Sequence, residues 1–142
     1  MRTNLTSQIT LNRVSTKYYK PENAVERSVL TRFEKVPTDI YESVDEGVAH
    51  IANEIAGRIQ DRQREGKFFV IGAGTGASLR PLYAELVRKH KDEGLSFRNV
   101  VIFNLYEYYP LAPDSVGSSF AQLKDLLVDQ VDIDKQNVFT ID

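Results

Sequence analysis

Two short loops of this chain combine the groups needed to bind an oxyanion and to move a proton. The loop Gly72–Ser78 holds three glycines and two hydroxyl side chains, and the loop Asn104–Tyr108 carries a phenol, Tyr106, beside a carboxylate, Glu107. Glycine permits positive φ angles and lets the backbone approach a ligand closely, so that its N–H groups can hold an oxygen. The first loop is therefore predicted to bind a phosphate or a polyol, next to an acidic and aromatic second loop.

Both loops follow short apolar runs that are typical of buried parallel strands. Phe68–Ile71 precedes the first loop, Asn99–Phe103 precedes the second, and a helix is predicted over about residues 79–93. In such a βαβ unit both loops lie at the carboxyl ends of the strands, where open α/β sheets bind ligands. The N-terminus of the helix adds a positive dipole end behind the first loop. The residues predicted to bind substrate or phosphate are Gly74, Thr75, Gly76, Ala77 and Ser78.

The rest of the chain supplies the elements that must position these loops. A helix is predicted after a capping box of Ser43 and Glu46, and a third helix and a third strand, Val138–Ile141, follow the second loop. This order predicts an α/β fold: a three-layer, Rossmann-like, mostly parallel sheet with helices on both faces, truncated after about three strands. Residues 1–36 are interpreted as an N-terminal extension and residues 37–142 as part of an α/β domain of a longer protein. The apolar face of the first helix is predicted to comprise Val44, Val48, Ile51, Ile55 and Ile59.

Composition limits the classes of partner. The formal net charge is −2, which gives no electrostatic case for nucleic acid. No apolar run approaches the roughly 18 residues that a membrane span needs, so no membrane partner is predicted. The chain has no cysteine, which excludes disulfides and thiolate metal sites, and no metal site is predicted. We expect a cytoplasmic protein.

The first loop alone leaves three interpretations open. The run from Gly72 to Ala77 satisfies G-x-G-x-x-A, a weak fingerprint of dinucleotide-binding proteins. That fingerprint also calls for an acidic residue at the end of the second strand, where this chain has Asn104. The alternatives are a site for a phosphate or sugar phosphate, a dinucleotide site, and a plain turn between a strand and a helix.

Several motifs occur in the order and at the intervals of a known family. The segment Phe68–Lys91 resembles the first βα unit of the glucosamine-6-phosphate deaminases (isomerases), with Thr75–Leu79 as the loop and Tyr83 at its usual spacing. Ser96–Leu111 resembles the next block of that family, a strand that ends in Phe-Asn-Met/Leu-Asp-Glu-Tyr, and the motif here is Phe103–Leu111. The resemblance covers about residues 40–142, and the related 6-phosphogluconolactonases, which share the fold, come second. Further matches are Ser118, Val131–Ile133 and Asn137–Val138.

The resemblance implies an activity and a departure from it. The family opens the ring of an amino-sugar phosphate, isomerises aldose to ketose and releases ammonia, and it needs no redox cofactor or metal. Its base is the aspartate of the second block, but this chain has Tyr106 there, and a phenol titrates near 10. Tyr106 and the adjacent Glu107 are therefore the catalytic candidates. A non-catalytic sugar-phosphate-binding or regulatory module is the alternative.

The same resemblance bears on the rest of the protein. The family's ring-opening histidine, its acidic partner and its phosphate-gripping basic residues lie beyond the position that matches Asp142. We therefore expect little turnover from this chain alone. The expected partners are a small-molecule sugar phosphate and either further copies of the chain or an additional C-terminal domain.

Overall fold

Three parallel strands, in the spatial order β1-β2-β3, form the sheet of the computed structural model, which describes residues 21, 23–33, 36, 38–112 and 114–141. Short 3₁₀ turns lie at Val128–Gln130 and Lys135–Asn137. In chain order the elements are α1 (Ala24–Thr31), α2 (Val44–Arg64), β1 (Phe69–Ala73), α3 (Arg80–Glu93), β2 (Val100–Asn104), α4 (Ser119–Leu126) and β3 (Val138–Phe139).

The register of the strands sets the height of the two loops. Phe69 lies opposite Val100, and Ala73 lies opposite Asn104, so β1 and β2 end at the same level. The chain passes from β1 to β2 through α3 and from β2 to β3 through α4. This is the parallel α/β arrangement predicted from the sequence, and the Rossmann-like class is confirmed.

Burial alternates along the strands, as a period of two requires. Val100 and Ile102 of β2 are almost fully buried in a core shared with the helices of residues 44–142. Val70 and Phe103 point to the other face of the sheet and are 59% and 46% exposed. The described helices that contribute to this core therefore pack along one face of the sheet. Their buried core residues are Ala52, Ile59, Tyr83, Leu86 and Leu123.

The helix predicted after the capping box is present as α2, but part of its predicted apolar face is exposed. The helix ends before Gly66, which has a left-handed φ of 67° and ends it as the sequence indicates. Val44 and Ile51, predicted to be buried, are 70% and 43% exposed. The helix packs through the side of Ala52 and Ile59 instead, because the small alanine allows a close approach to the core.

Residues 1–43 and 44–142 form two separate compact units. In the described part of the first unit, the Asn23 side chain caps α1 by accepting the N–H of Glu26 at 2.9 Å. Much of the predicted extension, residues 1–36, lies outside the described residues. None of the helices in the described part of the chain has the length and apolarity that a bilayer crossing requires.

Candidate functional site

The two predicted loops meet at one edge of the sheet. The backbone N–H of Leu105 donates to the carbonyl of Ala73 at 2.9 Å, which continues the pairing of β1 and β2 by one residue beyond the end of β2. The residue after this bond, Tyr106, points its ring toward the first loop. The shared level of β1 and β2 is what brings residues 31 positions apart into contact.

Tyr106 and Thr75 make the central contact between the loops. The Thr75 N–H donates to the Tyr106 hydroxyl at 2.9 Å, and that hydroxyl donates to the Thr75 carbonyl. The Thr75 hydroxyl lies 3.2 Å from the same phenol oxygen. Hydrogen bonds from the Thr75 side chain and backbone lower the pKa of Tyr106. The phenol therefore occupies the amide that the loop was predicted to offer to a ligand, while 37% of the tyrosine stays exposed.

Close approach, and not a left-handed backbone, explains the glycine at position 74 of the first loop. The loop does not use the positive φ that glycine permits, because the described glycines with positive φ are Gly66 and Gly94. A Cβ on Gly74 would lie 3.2 Å from Cε1 of Tyr106, whereas a Cβ on Gly76 would meet nothing within 4 Å. Gly74 therefore makes room for the Tyr106 ring.

Tyr83 supports the first loop from the core side. Its hydroxyl donates to the Gly74 carbonyl at 2.5 Å, and the residue is 4% exposed. Burial, with a smaller contribution from nearby Tyr106, raises the pKa of Tyr83. A neutral, buried phenol thus holds the loop at its most enclosed residue.

The Glu107 carboxylate binds the start of α4. Its Oε1 accepts the N–H groups of Tyr108 at 2.9 Å and Ser119 at 2.8 Å. Its Oε2 accepts the Ser118 hydroxyl at 2.7 Å and the Phe120 N–H at 3.0 Å. Desolvation acts to raise the pKa of Glu107, but these four donors outweigh it and lower the pKa to about 2. Free N–H groups at a helix N-terminus are a favourable site for such a carboxylate.

A series of hydrogen-bonded hydroxyl and amide groups extends from the Thr75–Tyr106 contact into the buried end of the sheet. The Ser119 hydroxyl lies 2.8 Å from the Thr75 hydroxyl and 3.3 Å from Oδ1 of Asn104. Nδ2 of Asn104 donates to the Tyr106 carbonyl at 2.9 Å and to the Thr140 hydroxyl at 3.2 Å. The sequence analysis singled out neither Ser119 nor Thr140 as a residue of the site. The signal that could have identified Ser119 was the pair Ser118–Ser119 at the start of the helix that follows the second loop.

The predicted binding residues of the first loop differ in how deeply they are buried. Gly74 is buried, Thr75 and Gly76 are partly buried, and Ala77 and Ser78 are exposed. In the described part of the chain, no three His, Asp or Glu side chains gather as a metal site would require. Hydrogen bonds between Thr75 and Tyr106 join the two loops directly at the sheet edge.

Comparison with known proteins gives relatives of one kind. No family model matches the chain. The chain is 61% identical over all 142 residues to a glucosamine-6-phosphate deaminase-like protein of Bacteroides thetaiotaomicron, of which it covers 21%. It is 33% identical over 99 residues, 70% of its length, to a glucosamine-6-phosphate isomerase of Candida albicans, of which it covers 39%. The chain therefore spans about a fifth to two fifths of the length of these curated relatives.

Solved structures agree with the fold. A monomeric glucosamine-6-phosphate deaminase, described as a missing link of the NagB superfamily, superposes with a TM-score of 0.65 at 27% identity, covering 70% of this chain and 40% of that one. A 6-phosphogluconolactonase of Thermotoga maritima superposes with a TM-score of 0.54 at 24% identity over 67% of this chain and 41% of that one, which supports the fold alone. By sequence and by fold, this chain belongs to the glucosamine-6-phosphate deaminase/isomerase family.

Proposed function

We propose that this chain binds an amino-sugar phosphate as part of a glucosamine-6-phosphate deaminase-like protein. The observation that carries the proposal is the contact between Thr75 and Tyr106, which joins two family-like loops at the carboxyl edge of a parallel sheet. Ligands of open α/β sheets bind at this edge. The deaminase and isomerase relatives supply the substrate class.

The first loop would bind the sugar phosphate through backbone and hydroxyl groups. The Thr75 N–H already holds one oxygen, the phenol oxygen of Tyr106, at 2.9 Å. A sugar hydroxyl or a phosphate oxygen is also an acceptor, so it can replace the phenol at this amide. The exposed end of the loop leaves room for the rest of the ligand. The proposed binding residues are Gly74, Thr75, Gly76, Ala77 and Ser78.

Tyr106 and Glu107 would have different roles at the reacting carbons. An aldose–ketose isomerisation needs a group that moves a proton near C2 of the sugar. Tyr106 stands in the family's base position, and hydrogen bonds from Thr75 lower its pKa from the usual value of a phenol. The Glu107 carboxylate already has four donors, so we assign to it the positioning of the second loop.

The proposed activity also depends on parts of the protein outside the matched region. The Bacteroides relative is much longer than the 142 residues that this chain matches. We therefore propose that an additional domain or further copies of the chain complete the site. On this proposal the chain alone binds the sugar phosphate and turns it over slowly or not at all.

Calorimetric titration and an ammonia assay test the proposal. The 142-residue chain is expected to bind glucosamine 6-phosphate more tightly than NAD. In the full-length protein, the variant Tyr106→Asp, which restores the family's carboxylate, is expected to release more ammonia than the wild type, with Tyr108→Asp as the control for an added acid nearby.

Each outcome of these assays points to one interpretation. Binding of NAD without binding of any hexosamine phosphate would contradict the proposal and favour a dinucleotide site. Sugar-phosphate binding with no ammonia from the full-length protein, either as the wild type or as Tyr106→Asp, would contradict the catalytic part and leave a binding module.

A further inference from the structure

The hydroxyl of Ser119 joins α4 to the ends of both strands that carry the candidate site. Ser119 is the first residue of α4 and is fully buried. Its Oγ lies 2.8 Å from Oγ1 of Thr75, 44 residues earlier, and 3.3 Å from Oδ1 of Asn104, the last residue of β2. One small side chain of α4 therefore contacts both the first loop and the end of the second strand.

Capping of the helix does not account for this hydroxyl. The N-cap of α4 is Ser118, whose side chain accepts the N–H of Ala121 at 3.1 Å. The backbone N–H of Ser119 is already bound by Glu107 at 2.8 Å. The Ser119 hydroxyl is thus directed away from its own helix and toward Thr75 and Asn104.

The amide of Asn104 determines which way the hydroxyl groups of Ser119 and Thr75 donate their protons. Nδ2 of Asn104 donates to the Tyr106 carbonyl, which can only accept, so Oδ1 of Asn104 faces Ser119 as an acceptor. The Ser119 hydroxyl then donates to Asn104, and the Thr75 hydroxyl donates to Ser119. The Tyr106 hydroxyl gives its own proton to the Thr75 carbonyl and accepts the Thr75 N–H, so the backbone of Thr75 holds the phenol. The hydroxyl hydrogen bonds therefore run from Thr75 through Ser119 to Asn104.

From this geometry we infer that Ser119 is a positioning residue for the sugar-phosphate site. It takes the hydroxyl proton of Thr75 and so sets the rotamer of Thr75. Because this hydrogen bond ties the Thr75 side chain to the buried Ser119, it anchors the residue with its N–H and carbonyl at the Tyr106 phenol and at the position where a ligand oxygen binds. The inference rests on the proposed function of the loop and adds the buried residue that orients it.

A double-mutant cycle separates an effect through Thr75 from a general loss of stability. Ser119→Ala removes the acceptor, Thr75→Val removes the donor at nearly constant volume, and the double variant removes both. Each single variant is expected to weaken binding of glucosamine 6-phosphate about fivefold, the value of one hydrogen bond, and the double variant by no more than either. Ser96→Ala is the matched control, because its hydroxyl donates to Asp132 at 2.8 Å before β2, away from the loops.

Hydrogen exchange of the Thr75 amide gives a second readout that does not need a ligand. Ser119→Ala is expected to speed this exchange, whereas Ser96→Ala is expected to leave it unchanged. Additive losses of affinity, about 25-fold in the double variant, would overturn the inference, and so would unchanged exchange at Thr75 in Ser119→Ala. If the wild type does not bind the sugar phosphate, the proposed function fails, and faster exchange at Thr75 still establishes the positioning by Ser119.

Discussion

The carboxylate of Glu107 accepts the backbone N–H of Ser119 at 2.8 Å, so a charged hydrogen bond fastens the second loop to the first turn of α4. The same carboxylate accepts three further donors. In the family pattern this glutamate lies next to the catalytic base, and its contacts here keep the neighbouring Tyr106 in reach of the first loop. The predictions below test how these contacts divide between stability and binding.

Glu107→Gln is expected to destabilise the fold, because the amide cannot supply four acceptor positions to the start of α4. The pKa of Glu107 is lowered to about 2 from a usual value of 4.5, so its carboxylate stabilises the folded state above pH 4.5. This contribution is lost as the pH falls from 4.5 through about 2.

Chemical denaturation at several pH values measures this effect. The difference in unfolding free energy between wild type and Glu107→Gln should be largest near neutral pH and should shrink in the acid range. Glu54→Gln is the control, because Glu54 lies on the exposed side of α2 and pairs with Arg58. A difference that stays constant down to pH 2 contradicts the role given to the Glu107 contacts.

Tyr106→Phe is expected to separate ligand binding from proton transfer. Loss of the hydroxyl frees the Thr75 N–H, so glucosamine 6-phosphate no longer competes with an internal hydrogen bond of about 1 kcal/mol, and affinity should rise about fivefold. Any ammonia release by the wild type should be lost. Tyr108→Phe, at an exposed tyrosine of the same loop, should change neither quantity. Weaker binding in Tyr106→Phe would show that the phenol contacts the ligand directly.

Gly74→Ala and Gly76→Ala form a matched pair. The new methyl at position 74 lies 3.2 Å from Cε1 of Tyr106 and must push the ring away from Thr75, which lowers stability and disturbs binding. The new methyl at position 76 meets nothing within 4 Å, and the backbone there has no positive φ, so stability should rise by about 0.4 to 1 kcal/mol. Thermal unfolding measures both, and equal effects at the two positions would rule out the close approach of Tyr106.

Tyr83→Phe is expected to remove the hydrogen bond that attaches the first loop to the core, and so to lower the stability of the fold. The variant leaves the Gly74 carbonyl without its donor in a buried place, at a cost of about 1 to 3 kcal/mol. Burial raises the pKa of Tyr83, so the wild type keeps this contribution below pH 10 and loses it as the pH rises above 10. Urea denaturation should therefore show the two proteins converging in stability at alkaline pH. A variant as stable as the wild type at pH 7 would show that the Tyr83 hydroxyl does not hold the loop.

The sequence alone determined the elements and the edge at which the loops meet. Apolar runs bounded by glycine and polar residues identify strands by local burial, and Gly66 and Gly94 end helices because they adopt positive φ locally. The motif Thr75–Leu79 and the block that ends at Leu111 indicated the family, since they depend on residue order only. These signals are local, so a single sequence carries them.

Only the tertiary structure decided which groups occupy the space between the loops. These groups are the Tyr106 phenol at the Thr75 amide, the four donors on Glu107 and the buried hydroxyl of Ser119. Each of the three includes a contact between residues that lie 11 to 44 positions apart in the sequence. The exposure of Val44 on α2 was also missed, because a helical period gives the width of an apolar face but not the direction from which a neighbour packs. Register between β1 and β2 and the approach of α4 set these contacts, and both follow from how the elements pack and not from their local sequence.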